Sequence, residues 1–238
     1  LLEGSERLGV LSVRWDGRGE RDEPPEAPTW VEPFATLVAM LVSAKSAYSD
    51  LLVTTRRAAE LDLAAEVQWG LLPPLTFARE GLAISGVLEP AYEVAGDTVD
   101  YAVEADVARF AVFDGMGHGL RSSQLASLTV AAYRNCRRSG RPLQATADAI
   151  DAAVEVGFAG ESYVTGVLAE LQLGTGRLSW VNAAHPEPLL LRGGQHVKTL
   201  GQGSGLPFGL GLPDRVPYPL GEEQLEPGDQ VFFFTDGA

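Results

Sequence analysis

Residues 110–119 read Phe-Ala-Val-Phe-Asp-Gly-Met-Gly-His-Gly, and this stretch decides the fold more than any other part of the chain. Its first half is apolar, which is typical of a buried strand. Asp114 stands at the end of the apolar run, where a carboxylate is costly unless something compensates its charge. The glycines that follow let the backbone turn sharply and let a ligand come close. The stretch therefore predicts a buried strand that ends in a functional carboxylate.

Two other segments of the chain place an aspartate beside a glycine in a similar pattern. Ala-Gly-Asp at residues 95–97 places Asp97 beside a glycine, and Val-Phe-Phe-Phe-Thr-Asp-Gly at residues 231–237 places Asp236 after an apolar run. If the three carboxylates converge, they form an oxygen-only site of the kind that Mg²⁺ or Mn²⁺ prefers. The alternative is that each aspartate only begins a turn, since Asp-Gly is a common turn dipeptide.

Strand-like segments lie on both sides of two successive helical segments. Apolar residues recur at helical spacing over Leu120–Arg138 and Pro142–Val156. Strands, two helices and strands again favour an α+β fold with largely antiparallel sheets over a regular alternation of strand and helix. The strand-like segments are Leu82–Leu88, Thr98–Val103, Val107–Phe113, Tyr163–Leu171, Arg177–Ala183, Pro188–Arg192, His196–Leu200 and Gln230–Thr235.

A long helix is predicted between these strands and a first strand-like segment, Leu8–Trp15. No glycine or proline interrupts residues 34–69, and apolar residues recur there at alternating spacings of three and four. Such a seam is typical of a coiled coil. A helix over residues 33–72 would be about 55–60 Å long at its usual rise per residue. Two interpretations stay open: a helix packed on its own domain, or a parallel coiled coil that joins two copies in a homodimer through residues 34–67.

Composition excludes several classes of protein. The 238 residues carry 18 Lys and Arg against 32 Asp and Glu, so the net charge is −14. A charge of this sign opposes binding to nucleic acid or to anionic membranes. No run of about 18 apolar residues is present, so we expect no membrane span. Cys136 is the single cysteine and has no partner for an internal disulfide, which fits a cytoplasmic location.

Six segments, in order along the chain, resemble one family. From about Ala64 onward the sequence resembles the SpoIIE-like branch of the metal-dependent Ser/Thr protein phosphatases, the PPM family. The third segment matches the family's Asp-x-Met-Gly-His-Gly signature, and the fourth is similar to its Asn-Ala-Gly-His-Pro pattern. The six segments are Ala65–Pro73, Glu89–Asp97, Asp114–Gly119, Asn182–Pro186, Glu226–Asp229 and Thr235–Gly237.

The resemblance implies a fold, a site and a reaction. The implied fold has two antiparallel β-sheets sandwiched by helices, with two Mn²⁺ or Mg²⁺ ions at one edge. Asp114 would bridge both ions, the Gly115 carbonyl would bind one, Asp236 would bind the other, and Asp97 would act directly or through water. The implied reaction is metal-dependent hydrolysis of phosphoserine or phosphothreonine in a protein. The typical substrate in this branch is an anti-sigma-factor antagonist in a stress or developmental signalling pathway.

The sequence also departs from the family at a few positions. Ala95 and Ala184 replace glycines, and Thr98 and Val99 replace an aromatic pair. The family has a last metal-binding Asp further along than Ala238, so we expect the phosphatase domain of this chain to be C-terminally incomplete. These departures leave a second interpretation open, in which the domain is a catalytically weak or inactive regulator that relays a signal by partner binding.

The N-terminal part resembles a different kind of domain. Residues 2–13, followed by a helix, resemble the end of a GAF sensor domain. Leu1 is not an initiator methionine, so we expect that the natural N-terminus lies further upstream. The predicted organisation is a sensor remnant at residues 1–32, a linker helix at 33–72 and a phosphatase domain at 73–238.

Other reactive side chains receive a structural interpretation. We expect His118 and His185 to cap turns or bond the backbone, because neither matches a metal ligand of the family. A basic cluster near the end of the first predicted helix has two interpretations, a solvated helix end or a docking site for an acidic partner. Its members are Arg134, Arg137, Arg138 and Arg141.

Overall fold

The computed structural model describes most of the chain and divides it into two compact units. The first unit comprises Leu1–Glu60 and Pro74–Val87, and the second comprises Leu61–Pro73 and Leu88–Ala238. The predicted domain boundaries after residues 32 and 72 stay predictions, because packing units and evolutionary domains need not coincide. The described residues are 2–3, 6–7, 10–12, 28–46, 48–50, 54, 62–88, 95–212 and 216–236.

The first unit contains a small antiparallel sheet. Its order is β1-β2-β3-β4, and its last two strands, β3 and β4, form a hairpin around Gly81, which has a φ of +79°. The predicted strand Leu82–Leu88 is shorter than expected, and the predicted strand Leu8–Trp15 lies mostly outside the described residues. Its described part, residues 10–12, is not a strand. The strands are β1 (Leu2–Glu3), β2 (Glu6–Arg7), β3 (Thr76–Arg79) and β4 (Leu82–Ser85).

The prediction of one unbroken helix over residues 33–72 is wrong. Helix α1 spans Val31–Ser46, and the amide of Tyr48 donates to the Lys45 carbonyl at 3.2 Å in the turn that follows. Helix α2 spans Leu63–Leu71 and begins at an extended Asp62, whose side chain accepts from the Ala65 amide at 2.7 Å. The absence of glycine and proline was therefore no guide to continuity, because a capping aspartate starts a new helix as effectively.

A five-stranded antiparallel sheet forms the centre of the second unit, in the order β11-β8-β7-β6-β5. A tight turn at residues 104–106 joins β5 to β6, and in it the Glu104 amide donates to the Val107 carbonyl at 2.9 Å. A second turn at residues 174–176 joins β7 to β8, and in it the Gly176 amide donates to the Gln172 carbonyl. The strands are β5 (Ala95–Val103), β6 (Val107–His118), β7 (Val164–Gln172), β8 (Arg177–Ala183) and β11 (Gly221–Gln224).

A second, three-stranded antiparallel sheet packs against one face of the first. It has the order β10-β9-β12, with β9 at Leu189–Arg192, β10 at Gln195–Thr199 and β12 at Gln230–Phe232. Trp180 from β8 and Leu190 from β9 share one apolar cluster. This layer holds the C-terminal strand, and therefore the segment with Asp236, beside the central sheet.

Two helices cover the other face of the central sheet. Helix α3 spans Leu120–Arg138, as predicted, and helix α4 spans Leu143–Phe158. Phe113 of β6 packs edge-on against Tyr133 of α3, with ring centroids 5.9 Å apart. Leu125, Ile150 and Leu168 complete the same buried cluster. The predicted α+β fold, with antiparallel sheets and flanking helices, is confirmed.

Candidate active site

The central sheet places two of the predicted carboxylates side by side. Strands β5 and β6 pair so that Asp97 lies directly opposite Asp114. Side chains of directly paired residues share one face of a sheet and come within contact distance. Both residues lie inside the ladder, since β6 continues to His118. The expectation that the strand ends at Asp114 is therefore wrong, although the expected meeting of the two acids holds.

Glycine at position 96 makes this close pairing possible. A Cβ atom on Gly96 would lie 2.1 Å from the carbonyl oxygen of Gly115 and 2.5 Å from Oγ of Ser122, both far inside contact distance. Ser122 Oγ donates to that same Gly115 carbonyl at 3.3 Å. The carbonyl that the family resemblance assigns to a metal thus has a hydroxyl partner here, and its ligand role stays a prediction.

The carboxyl groups of Asp97 and Asp114 perturb each other. Burial is the largest cause that raises the pKa of Asp114 to about 6, and the negative charges of Asp97 and Asp236 add to the effect. Burial also raises the pKa of Asp97, against an opposing hydrogen bond from Thr235. Two carboxyl groups in one half-buried place resist simultaneous ionisation unless a cation joins them.

The segment after β12 brings the third carboxylate to the pair. Thr235 Oγ1 donates to Oδ2 of Asp97 at 2.9 Å, and the charge of Asp236 acts on both Asp97 and Asp114. The structure therefore gathers all three predicted acids in one region. Across the described part of the chain, however, no three His, Cys, Asp or Glu side chains stand close enough to form a metal cluster. Asp97 and Asp114 form a close pair, and Asp236 lies at longer range.

An open cavity of about 420 Å³ adjoins these acids. Asp114 and Asp236 both line it, and none of its lining residues is lysine or arginine. Positive charge that would balance the carboxylates is thus missing from the cavity wall itself. The lining residues are Asp114, Met116, Tyr163, Thr165, Ala184, His185, Pro186 and Asp236.

His185 lies in the wall of this cavity, and its hydrogen bonds agree only in part with the prediction. Its backbone is held by Asn182, as expected for a histidine in a turn. Its ring, however, bonds the Thr165 hydroxyl at 2.9 Å. Burial lowers the pKa of His185 to about 4, so the imidazole is neutral at pH 7. Ala184, the preceding residue, has a φ of +53°, in the region where the family's glycine would be unstrained.

The structure adds site residues that sequence reasoning missed. Gln68 of α2 is fully buried and donates from Nε2 to the Asp97 carbonyl. Thr165 lies directly opposite Asp114 in the β6–β7 ladder. Gln68 belongs to a segment that resembles the family, so a polar residue on that apolar helix was a usable signal. Thr165 sits in an ordinary alternating strand pattern and gave none.

Two members of the basic cluster have a role that neither interpretation predicted. Arg134 Nη2 and Arg137 Nη1 bind the two carboxylate oxygens of Asp100 at 2.7 and 3.0 Å. Arg134 also donates to the Leu71 carbonyl at 2.6 Å, at the end of α2. These two guanidinium groups neutralise a buried acid on β5, which leaves Arg138 and Arg141 as the exposed members.

Comparison with solved structures identifies the class of fold. The RsbU and RsbW domains of a Mycobacterium tuberculosis protein align with a TM-score of 0.52 and 27% identity, over 60% of this chain and 39% of that one. The PP2C phosphatase domain of SpoIIE from Bacillus subtilis aligns with a TM-score of 0.53 and 21% identity, over 61% of this chain and 43% of that one. The second unit therefore has the fold of a PP2C-type phosphatase.

Sequence comparison identifies the family. The profile of the SpoIIE family, Stage II sporulation protein E, matches residues 104–238. The chain belongs to this family, which confirms the resemblance. Phosphoserine phosphatase RsbU of Bacillus subtilis is 22% identical over 179 residues, which are 75% of this chain and 53% of that protein. The chain thus spans about half the length of this curated relative. The GAF-like resemblance of the N-terminal part stays a prediction.

The helices among the described residues give no candidate for a membrane span, since none is both long and apolar enough.

Proposed function

We propose that this chain carries the catalytic domain of a metal-dependent protein-serine/threonine phosphatase. The observation that carries the proposal is the Asp97–Asp114 pair, on which the charge of Asp236 acts, beside a cavity without a lysine or arginine in its wall. Buried like charges are stable together only when a proton or a cation joins them. Membership of the SpoIIE family supports a phosphatase over other metal-dependent hydrolases.

The donor chemistry of the pair fits a hard divalent cation. Carboxylate and carbonyl oxygens are the ligands that Mg²⁺ and Mn²⁺ prefer. Asp114, the Gly115 carbonyl and Asp236 would hold the ions, with Asp114 shared between them and Asp97 acting directly or through water. When bound, the ions would supply an acidified water nucleophile and offset charge on the phosphoryl oxygens.

The chain's own residues then orient the site and shape access to it. Thr235 fixes one oxygen of Asp97, which leaves the other oxygen to face Asp114 or a cation. The cavity has room for a phosphorylated side chain, with Met116 and Tyr163 at its partly exposed walls. Cys136, the single thiol, is buried on α3 and is not among the residues that line the cavity. No covalent protein nucleophile is required.

The proposed substrate is a phosphorylated protein of the anti-sigma-factor antagonist kind. RsbU, the relative at 22% identity, is a phosphoserine phosphatase. A phosphoserine in a flexible protein segment suits a cavity that is open to one side, as this one is. The proposed pathway is regulation of a sigma factor by partner switching.

The direct test is dephosphorylation of a phosphoserine peptide with added Mn²⁺. Asp114→Asn should lower kcat by at least about a hundredfold, since a residue that bridges metal ions takes part in the transition state. Asp106→Asn, on the exposed turn between β5 and β6, is the matched control and should keep full activity. Equal activity in the two variants would exclude the proposed site.

A regulator without phosphatase activity is the second candidate. The observation that favours it is the lack of a three-residue metal cluster within the described ranges, together with the departures at Ala95 and Ala184. Calorimetric titration with Mn²⁺ separates the two candidates. Binding that Asp114→Asn removes supports the enzyme, whereas binding of a phosphopeptide without any binding of Mn²⁺ supports the regulator.

We also propose that the chain forms a homodimer through the predicted seam at residues 34–67, and in particular through its part on α1, which ends at Ser46. On the described part of this seam, Leu37 and Leu41 of α1 are 54% and 53% exposed. Exposed apolar side chains at heptad spacing are typical of a helix that pairs with a second copy. Light scattering should give twice the chain mass of 25.3 kDa. Leu41→Glu should halve it, whereas Val156→Glu, at an exposed site on α4, should not.

A further inference from the structure

The imidazole of His185 is fixed more firmly than a turn histidine requires. Thr165 Oγ1 bonds its Nδ1 atom at 2.9 Å. Asn182 holds its backbone twice, accepting from the His185 amide at 2.8 Å and donating to the His185 carbonyl at 2.9 Å. Ser204 in turn donates to the same Asn182 oxygen at 3.2 Å. The ring is thus oriented from the side of β7 and from its own turn.

The other ring nitrogen of His185 has no such partner. His185 is 5% exposed, and its Nε2 atom is buried without a hydrogen bond to any residue that the structure describes. Buried polar atoms in folded proteins nearly always find a partner. An orphaned ring nitrogen in a cavity wall is therefore available for a further hydrogen bond.

The groups that act on this imidazole belong to the segment that carries Asp236. The Phe234 backbone lies near enough to act on the ring as a hydrogen-bond acceptor, but it does not complete a bond to Nε2. The charge of Asp236 acts in the same direction, and burial outweighs both. Both are hydrogen-bond acceptors, so the nitrogen that meets them must donate. Thr165 then supplies the hydroxyl proton to Nδ1, which leaves the ring proton on Nε2.

The same segment is already tied to the carboxylate pair on its other side. Thr235 Oγ1 donates to Asp97 Oδ2 at 2.9 Å. Residues 234–236 therefore lie between Asp97 and His185. Thr235 forms a hydrogen bond with Asp97, whereas Nε2 of His185 has no hydrogen bond to any residue that the structure describes.

We propose that His185 is a positioning residue for Asp236, whose Nε2–H donates to the Phe234 carbonyl when the acidic site is occupied. The bond would hold Asp236 opposite the Asp97–Asp114 pair, and Thr165 would set the tautomer that makes it possible. This role rests on the proposed function in one respect, namely that Asp236 takes part in the acidic site. It gives a role to the histidine of the Asn-Ala-Ala-His-Pro segment, residues 182–186.

Two conservative substitutions separate the two ring nitrogens. The amide of His185→Asn reaches about as far as Nδ1, and the amide of His185→Gln reaches about as far as Nε2. Calorimetry with Mn²⁺ should show affinity weakened about tenfold in His185→Asn, the range typical of groups that orient metal ligands. His185→Gln should stay within about threefold of the unaltered chain. His196→Asn, an exposed histidine that also bonds a threonine, is the matched control.

Hydrogen exchange gives a readout that does not depend on activity. With Mn²⁺ bound, amides of residues 233–236 should exchange faster in His185→Asn than in His185→Gln, while those of β7 stay unchanged. In the phosphopeptide assay, kcat should fall in His185→Asn with KM unchanged. If His185→Asn does not fold, Thr165→Val should produce the same direction of change in Mn²⁺ affinity, because it releases Nδ1.

The outcomes distinguish this inference from the proposed function. Equal Mn²⁺ affinity and exchange in the Asn, Gln and unaltered chains would overturn the role of His185 alone. Equal losses in the Asn and Gln variants would overturn the assignment to Nε2. If the unaltered chain binds no Mn²⁺ at all, the proposed function fails, and the inference, which requires an occupied site, fails with it.

Discussion

Asp97 and Asp100 lie three residues apart on β5 and meet opposite electrostatic surroundings. Asp100 is 1% exposed, and both of its oxygens are bound by arginines of α3. Asp97 faces another acid, Asp114, and burial raises the pKa of both. A spacing of three puts the two side chains on opposite faces of the strand. One strand thus carries one carboxylate that the chain neutralises and one that it does not.

The difference separates an acid that the protein neutralises internally from an acid that is left available to a ligand. Asp100 joins β5 to α3, and through Arg134 to the end of α2. Its removal would leave charged groups of the protein without their partner. Removal of the charge on Asp97 or Asp114 would instead relieve repulsion inside the protein. Removal of the charge on Asp100 should therefore lower stability. Removal of the charge on Asp97 or Asp114 should raise stability and lower activity.

The largest effect on stability is expected for Asp100→Ala. This change leaves Arg134 and Arg137 partly buried without their carboxylate, which costs about 3–5 kcal/mol of unfolding free energy for a buried pair. Urea denaturation measures the loss, with the exposed Asp106→Ala as control. A loss in Asp100→Ala no larger than in the control would show that the ion pairs do not hold β5 to α3.

Asp114→Asn should change stability in the other direction. In metal-free buffer at pH 7 the neutral amide removes the repulsion with Asp97, and the melting temperature should rise by about 2–4 °C, equivalent to about 1 kcal/mol. Calorimetric melting checks the value. A lower melting temperature in this variant would mean that the carboxylate pair is compensated within the protein, as Asp100 is.

The next prediction compares two alanines with the same backbone conformation. Ala184 in the cavity wall and Ala159 after α4 have φ values of +53° and +54°. Glycine at either position should stabilise the protein by about 0.5–1 kcal/mol by removing left-handed strain. Only Ala184→Gly should also alter kcat in the phosphopeptide assay, since only Ala184 lines the cavity. An equal change of kcat in both variants would argue against a local effect.

A further expected effect is a pH dependence of stability without metal. The pKa of Asp114 rises from 3.8 to about 6 on folding, so the folded state holds the proton more tightly than the unfolded state. This contribution to stability is fully present below pH 3.8 and is lost as pH rises through about 6. Unfolding curves across this window should show the slope, and Asp114→Asn should remove it. Mn²⁺ should restore stability at the upper end.

The sequence predicted the elements whose causes are local. Helix α3 has its predicted bounds, and strand β8 does too, because helical spacing and strand alternation are visible along the chain. The three acids were found for the same reason, since each stands beside a glycine and an apolar run. Asp114 was nevertheless misplaced at a strand end, because the Gly96–Gly115 pairing that prolongs the ladder involves two distant segments.

Features that depend on distant partners were missed. Strand β11 reads Gly-Glu-Glu-Gln and has no apolar alternation, yet it pairs with β8. Its Gly221 lies where a Cβ would come within 2.3 Å of the Trp180 ring, a reason that no local pattern contains. The break between α1 and α2 was missed because apolar residues keep their helical spacing across it, while the side chain of Asp62 caps a new helix. The bond between Thr165 and His185 joins separate segments and had no local signal.

The hydrogen bond from Thr235 to Asp97 also bears on the order of folding. It joins residues 138 positions apart, and contacts of such sequence separation form late because a long loop must close first. During synthesis, α3, α4 and most of the central sheet leave the ribosome before Thr235 does. A nascent chain can therefore pair Asp97 with Asp114 while Asp236 is still apart from them. The three acids come together only when the segment after β12 is in place.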